Sequence, residues 1–390
     1  DTLYAQFRGR DDVILIPHVG GRYANVRQYF DESLMPLLEI ASCWGVFEWF
    51  AGDALDAGHV FGFSAGSDDH TARPGMSHAP RGHFATGGGL TAVLARDHSR
   101  AAIWEALKAR RTYATTGARL LLDVVARART PEGREGSEGR DYPMGSIVDL
   151  SAIDLSDPRR LEIAVSVHGT APLWRVEVLR WPDVVYRHVL SSSDVSLPIR
   201  DVSSGRHRLR IGWTGSRIRA RRRMTRWDGG LSVAEGTLLH AQGWGFDHPE
   251  DGITARSPHS VTWRSETAGD WDGIVIDLAA NDDAPLRFES GPATFSFTPR
   301  DVAAGPLVID AGGVGQQVHI ERDLGPDAPR QASFVYHLPA EEAPSGTSGT
   351  SGTSTGREAY FVRVTQQDGH IAWSSPFFVQ RGVTPPDRRP

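Results

Sequence analysis

The sequence predicts an α/β unit over residues 1–120 followed by an all-β region over 121–390. Two observations place the division. Up to about residue 118, short apolar runs alternate with helical patterns. Beyond it the apolar period falls to two, and turn residues separate the segments with no helical stretch of comparable strength. The 42 glycines and 24 prolines suit a chain of many turns and short strands.

Taken in order, "VILIP" (13–17) reads as a strand buried on both faces, being continuous, β-branched and leucine-rich. A polar helical stretch is expected from Tyr23 to Phe30. "PLLEIA" (36–41) is the next strand, then an amphipathic helix around Phe47 to Ala57, then a third strand, "HVFGFSAG" (59–66). Strand starts lie about 20 residues apart, close to what a strand-helix-strand crossover needs. "GLTAVLA" (89–95) supplies a fourth strand. "SRAAIWEALKARR" (99–111) is the clearest helix: Ser99 caps it, Ile103, Ala106, Leu107 and Arg110 share a face, and its end is basic. The series reads as parallel α/β.

In the second region "LEIAVSVHG" (161–169), "LWRVEVLRW" (173–181), "HRLRIGW" (207–213), "GIVIDLA" (273–279) and "AYFVRVTQ" (359–366) alternate inward and outward positions. They predict a β-sandwich or a pair of β-modules. "SGTSGTSGTSTG" (345–356) reads as a flexible loop between strands. Trp174, Trp181, Trp213, Trp227, Trp244, Trp263, Trp271 and Trp373 fall in this half.

A net charge of −6 argues against non-specific nucleic-acid binding by the whole chain. Cys43 is the sole cysteine, so neither an intramolecular disulfide nor a zinc-cysteine cluster forms, which fits a reducing, cytoplasmic setting. No apolar run approaches the roughly 18 residues of a membrane span. "DTLYAQFRGRDDVILIPH" shows neither an initiator methionine nor a signal pattern and reads as a chain that starts within a domain.

In parallel α/β folds, working groups gather where strands end. "VILIP" is followed by His18, "PLLEIA" carries Glu39 with Glu48 beyond the "SCWG" turn, and "FGFSAGS" runs into Asp68 and His70. In extended chain Asp68 and His70 point to one side and Asp69 to the other. A carboxylate and an imidazole there, with His18 from a neighbouring strand, suit Zn, Mn or Fe. Each residue alone has a plainer explanation: a hydrogen-bonded histidine, or an Asx turn at Ser-Asp-Asp. Glu39 is harder to explain so, because a carboxylate in an apolar run costs several kcal/mol unless a cation or donors meet it. No P-loop, C-x-x-C or dinucleotide fingerprint competes.

"IPH", "LLEIASCWGVFE", "GHVFGFSAGSDDHTARPG" and "GGLTAVLARDHSRAAIWEALKARRTYATTGARLLLDV" together resemble the latter half of a PHP (polymerase and histidinol phosphatase) domain. The resemblance is to the branch with a β-rich C-terminal region, whose ending "AYFVRVTQQDGHIAWSSPFFV" (359–379) also resembles. It implies the C-terminal part of a distorted seven-stranded β/α barrel that binds two or three divalent ions and hydrolyses phosphoesters. His18, Asp68 and His70 match metal ligands of that family, and Glu39 matches a site-facing glutamate. The family's opening histidine-x-histidine pair is absent, so about half of its ligand set is missing from this chain.

The resulting expectation is a metal-dependent phosphoesterase-like hydrolase, with Glu39 and Arg73 acting on a small phosphoester substrate. Arg73 would clamp an anionic oxygen, or close its loop by an ion pair. His78 and His83 line the following loop, and His59 and His98 read as structural. Two rivals stand beside it. The tryptophan-rich half would be a carbohydrate- or protein-binding module on a degenerate scaffold. "SRIRARRRMTRW" (216–227), with Arg217, Arg219, Arg221 and Arg223 on one strand face, would be a nucleic-acid groove or, more plainly, a charged sheet edge.

Overall fold

The computed structural model describes residues 2–19, 24–68, 70, 86–128, 139–150, 161–190, 205–220, 223–339 and 357–380. Its centre is an eight-stranded sheet. Asp183–Arg187, Leu173–Arg180, Arg357–Gln366, Ile371–Ser374, Thr112–Thr115 and Leu90–Val93 run side by side in that order. Phe377–Gln380 pairs with Arg357–Gln366 and, in parallel, with Ile147–Asp149. Strands from before and after residue 120 therefore share one sheet.

Strand alternation sends side chains to both faces of this sheet. Val176, Val178, Val362 and Val364 pack against Leu122, Val124, Ile163 and Val165 of a four-stranded sheet. On the opposite face Leu179, Phe361, Trp373 and Phe378 meet Phe50, Phe61 and Phe63. Those three belong to the N-terminal layer, a small sheet of Gly45–Val46, Leu37–Ser42 and Gly62–Ala65 with the helix Glu48–Asp56. Each fully buried apolar side chain contributes about 1.5–3 kcal/mol, so both faces hold the layers together.

Residues 206–322 form the β-sandwich that the alternation predicts. One five-stranded sheet presents Leu209, Ile211, Trp213, Ile274, Ile276 and Val318 to Leu231, Val261, Trp263 and Phe288 of another. The β-rich architecture is thus as expected, and the predicted segments at 161–169, 173–181, 207–213, 273–279 and 359–366 are all strands. The flexible loop read at 345–356 lies outside the described residues.

The N-terminal layer departs from the expected parallel run. "VILIP" forms no strand. Leu15 N–H donates to Leu34 O (2.7 Å) and Glu39 N–H to Pro17 O (3.2 Å), but Pro17 has no N–H to extend a ladder. Of the helix expected over 23–30, residues 24–30 make a single turn. Asn25 Oδ1 accepts from Gln28 N–H (3.3 Å), a local bond of the kind that competes with helix. "GLTAVLA" yields Leu90–Val93, antiparallel to Thr112–Thr115 in the central sheet. The parallel pair in this layer is Leu37–Ser42 with Gly62–Ala65, and no barrel closes among the described residues. The helix at 99–111 is Arg100–Lys108, capped by Ser99 Oγ from Ala102 N–H (3.2 Å). The arginine-rich stretch is not one long strand: residues 217–220 bend, and Arg219 leaves the sheet to pair with Asp53 (2.8 Å).

Candidate functional site

The parallel pair brings the ends of two segments together. Leu37, Leu38 and Ile40 are buried, which turns the intervening Glu39 to the half-open side of the sheet. The Pro17 carbonyl on Glu39 N–H sets the next residue, His18, beside that carboxylate. The backbone after the second strand is tied to the turn after the first: Cys43 N–H donates to Ser67 O (3.2 Å), and Cys43 Sγ–H to Asp68 O (3.0 Å). Gly66 makes the approach possible, since a Cβ there would stand 2.8 Å from Glu39 Oε1.

These constraints converge four of the predicted side chains. His18 Nδ1 contacts Glu39 Oε2, and its Nε2 lies 3.2 Å from Asp68 Oδ2. His70 Nε2 lies 2.8 Å from Asp68 Oδ1. Asp68 and His70 meet in a way that strand alternation does not give. Both have left-handed backbones, φ 48° and 55°, where non-glycine residues are uncommon and are held by their surroundings. The local holding comes from Trp44, whose Nε1–H donates to Asp68 Oδ2 at 2.5 Å and whose ring meets the edge of His70 at 5.7 Å. Sequence reasoning missed Trp44. Its signal was an indole in a Ser-Cys-Trp-Gly turn directly after a strand.

Other expected members are elsewhere. Asp69, Arg73, His78 and His83 lie outside the described residues. Glu48 faces the central sheet, where it accepts from Arg363 Nη1 (2.8 Å) and Trp373 Nε1 (2.7 Å). His59 is structural, its Nε2 3.0 Å from Val26 O and its ring stacked on Phe30.

The donor set of His18, Glu39, Asp68 and His70, two imidazoles and two carboxylates, is of a kind that could hold Zn, Mn or Fe. His18 bridges the two carboxylates, with Nδ1 on Glu39 and Nε2 3.2 Å from Asp68 Oδ2, an arrangement that a second ring proton or a cation would satisfy. The four side chains are linked in the order Glu39, His18, Asp68, His70. Among the described residues, no three histidine, cysteine, aspartate or glutamate side chains surround a common point.

A second group of carboxylates flanks the same loops. Gly89 N–H donates to Gly66 O (2.8 Å), Thr86 N–H to Cys43 O (2.9 Å), and Gly87 N–H to Asp247 Oδ2 (3.1 Å). Asp247 belongs with Asp251, Asp270 and Asp272 of the sandwich. Burial raises all four above the carboxylate range, and the neighbouring acids add to it. Asp251 reaches about 6 and Asp270 about 7. Asp272 Oδ2 accepts from Ser265 Oγ (2.6 Å), whereas Asp247 Oδ1, Asp270 Oδ2 and Asp272 Oδ1 are buried without a hydrogen-bond partner. "FDHPEDG" and "GDWDG" carry this group, which the sequence analysis also missed.

Compared with known proteins, residues 58–180 match a family described as "Protein of unknown function (DUF3604)". The matched span contains Asp68 and His70 and excludes His18 and Glu39. No curated protein and no solved structure gives a significant match.

Proposed function

We propose that this chain carries part of the site of a metal-dependent, phosphoesterase-like hydrolase, related to the latter half of a PHP-type barrel. The observation that carries the reading is His18 set between Glu39 and Asp68, with His70 on the second oxygen of Asp68. His18, Asp68 and His70 would hold the ion, Mn, Zn or Fe. When bound, such an ion brings the pKa of a coordinated water towards neutrality and offsets negative charge on the scissile group.

The chain's own residues do the positioning. Glu39 fixes the orientation and tautomer of His18 by accepting from Nδ1–H, which leaves Nε2 with its lone pair facing inward. Trp44 holds the Asp68 carboxylate by donating to Oδ2. His70, more than half exposed, would complete the ligand set from the open side. Arg73, outside the described residues, is assigned to an anionic oxygen of the substrate on the chemistry of its guanidinium.

Calorimetric titration of the 390-residue chain with Mn²⁺, Zn²⁺ or Fe²⁺ tests the reading, alongside hydrolysis of bis-p-nitrophenyl phosphate. Binding of one of these ions is expected, and Asp68→Ala with His70→Ala should remove it together with any hydrolysis. A chain that binds none of the three, or hydrolysis that survives in the double variant, overturns the proposal.

A further inference from the structure

A cleft of about 310 Å³ lies where the N-terminal layer, the central sheet and the sandwich meet. It shares no lining residue with His18, Glu39, Asp68 or His70. Its origin is the alternation of the central strands. The residues of Leu173–Arg180 and Arg357–Gln366 that face the N-terminal layer include Arg175, Glu177 and Arg363, so charged groups are carried into a covered interface. They are paired there. Arg363 Nη2 donates to Glu177 (2.8 Å) and its Nη1 to Glu48 (2.8 Å), while Arg187 Nη2 donates to the other oxygen of Glu177 (2.7 Å). Val184 and Arg187, each 42% exposed, stand at the mouth.

Two buried side chains in the wall are left with polar atoms unmatched. His319 is 7% exposed, and neither Nδ1 nor Nε2 has a hydrogen-bond partner. Arg175, 5% exposed, donates from Nη2 to Glu321 (2.6 Å) and stacks its guanidinium 3.9 Å from the Trp174 ring, but its Nε is also without a partner. Each such atom is costly if nothing meets it, and a cluster of them in one wall calls for an occupant. Burial, followed by the charges of Arg175, Arg187 and Arg363, pushes His319 down to about 2. It is therefore a neutral ring with one donor and one acceptor.

The occupant's chemistry follows from what the wall offers. Glu48, Glu177 and Glu321 offset the charges of Arg175, Arg187 and Arg363, so the wall offers no net charge to draw in an anion or a cation. A neutral molecule whose groups both donate and accept meets the neutral His319, the spare Arg175 Nε and the charged pairs together. The indoles of Trp49 and Trp271, both half-buried, give apolar walls; the Trp271 ring stands edge-on to His319 at 5.0 Å. The volume is at the small end of ligand pockets, and junctions between structural units are where such pockets form. We infer that this cleft binds a neutral carbohydrate unit of monosaccharide size. The tryptophans of the sandwich core, Trp213, Trp227 and Trp263, are buried and serve no ligand.

The test is titration of the full chain with D-glucose, D-galactose, D-mannose and N-acetylglucosamine, and with inorganic phosphate as the anionic probe, read by calorimetry and tryptophan fluorescence. Saturable binding of at least one sugar and none of phosphate is expected. His319→Phe should weaken sugar binding at least tenfold while leaving the unfolding midpoint unchanged or higher, because no hydrogen bond of the free protein is lost. Asp68→Ala with His70→Ala should leave sugar affinity intact, so the two proposals fail separately. The inference is overturned if phosphate binds and the sugars do not, or if no sugar binds. It is equally overturned if His319→Phe lowers the midpoint without changing sugar affinity.

Discussion

Two groups of carboxylates flank the segment 86–89, and they differ in what meets them. Glu39 and Asp68 face imidazoles and an indole N–H at a half-open edge. Asp247, Asp270 and Asp272 face one another in the sandwich, met by the backbone N–H groups of Gly87 and Ala268 and by Ser265 Oγ. The same functional group is thus prepared for different work. Beside nitrogen donors its oxygens have close partners. Among other acids, with no guanidinium or ammonium against it, it takes up protons. What separates the two groups is the neighbours of the oxygens and not their acid content.

The largest effect that sharpens this contrast is on stability against pH. Asp270 sits at about 7 in the folded protein against a reference of 3.8. Between those values the folded state holds a proton that the unfolded chain has lost, so stability falls as pH rises and is restored on acidification. Between pH 5 and 8 this one group should cost about 3 kcal/mol. Asp270→Asn keeps an oxygen for Ala268 N–H and should take this one group's share out of the slope, leaving what Asp247, Asp251 and Asp272 contribute, and stabilise the protein at pH 8. Urea unfolding of both proteins at several pH values measures it. An unchanged slope in the variant would break the comparison, because burial among other acids would then not be what holds a proton on Asp270.

Much of this contrast was visible in the sequence on one side and hidden on the other. His18, Glu39, Asp68 and His70 each follow or interrupt an apolar run, and that boundary is a local signal. The strand before His18 was misread because Pro17 removes the N–H that a ladder needs, even though the run is apolar enough to be a strand. Asp270 and Asp272 lie in a short turn-rich stretch before a strand, where acids are ordinary. Their burial depends on Gly45, whose missing Cβ lets Ala268 O approach to 2.5 Å of where it would stand. Contacts between residues more than 200 positions apart leave no periodicity to read. Charged alternation in "LWRVEVLRW" was likewise taken as an inner and an outer face, when both faces are covered and the arginines and glutamate pair across strands.

The next effect in size tests the nitrogen side. If Glu39 orients His18, Glu39→Gln should weaken divalent-ion binding about 10–100-fold, the usual loss when a ligand's orienting partner is removed. The unfolding midpoint should move little. Equal loss of stability and affinity would mean that Glu39 serves the fold, and the distinction from the aspartate group would vanish. Trp44→Phe keeps the ring contact with His70 and removes the N–H on Asp68 Oδ2. A hydrogen bond to a charged group is worth about 1.5–3 kcal/mol, and partial exposure of Asp68 puts the expected change near the low end, about tenfold in ion affinity. Competition between Mn²⁺ and a chelator reads both variants on one scale.

The smallest effect is the most specific. Gly66 touches the carboxylate that orients His18 and nothing in the aspartate group. Alanine there would bring a Cβ within 2.8 Å of Glu39 Oε1, closer than such contacts run. That oxygen ends a flexible side chain, so the fold can yield by turning the carboxylate rather than by moving backbone. Stability should change by under about 1 kcal/mol. Turning the carboxylate, however, draws Oε2 away from His18 Nδ1 and loosens the ring that faces Asp68. Gly66→Ala should therefore lower ion affinity about three- to fivefold and leave the pH slope set by Asp270 untouched. A variant that binds ions as the parent does would show that His18 keeps its orientation without Glu39, and that the imidazole, rather than its carboxylate partner, is what separates the two groups.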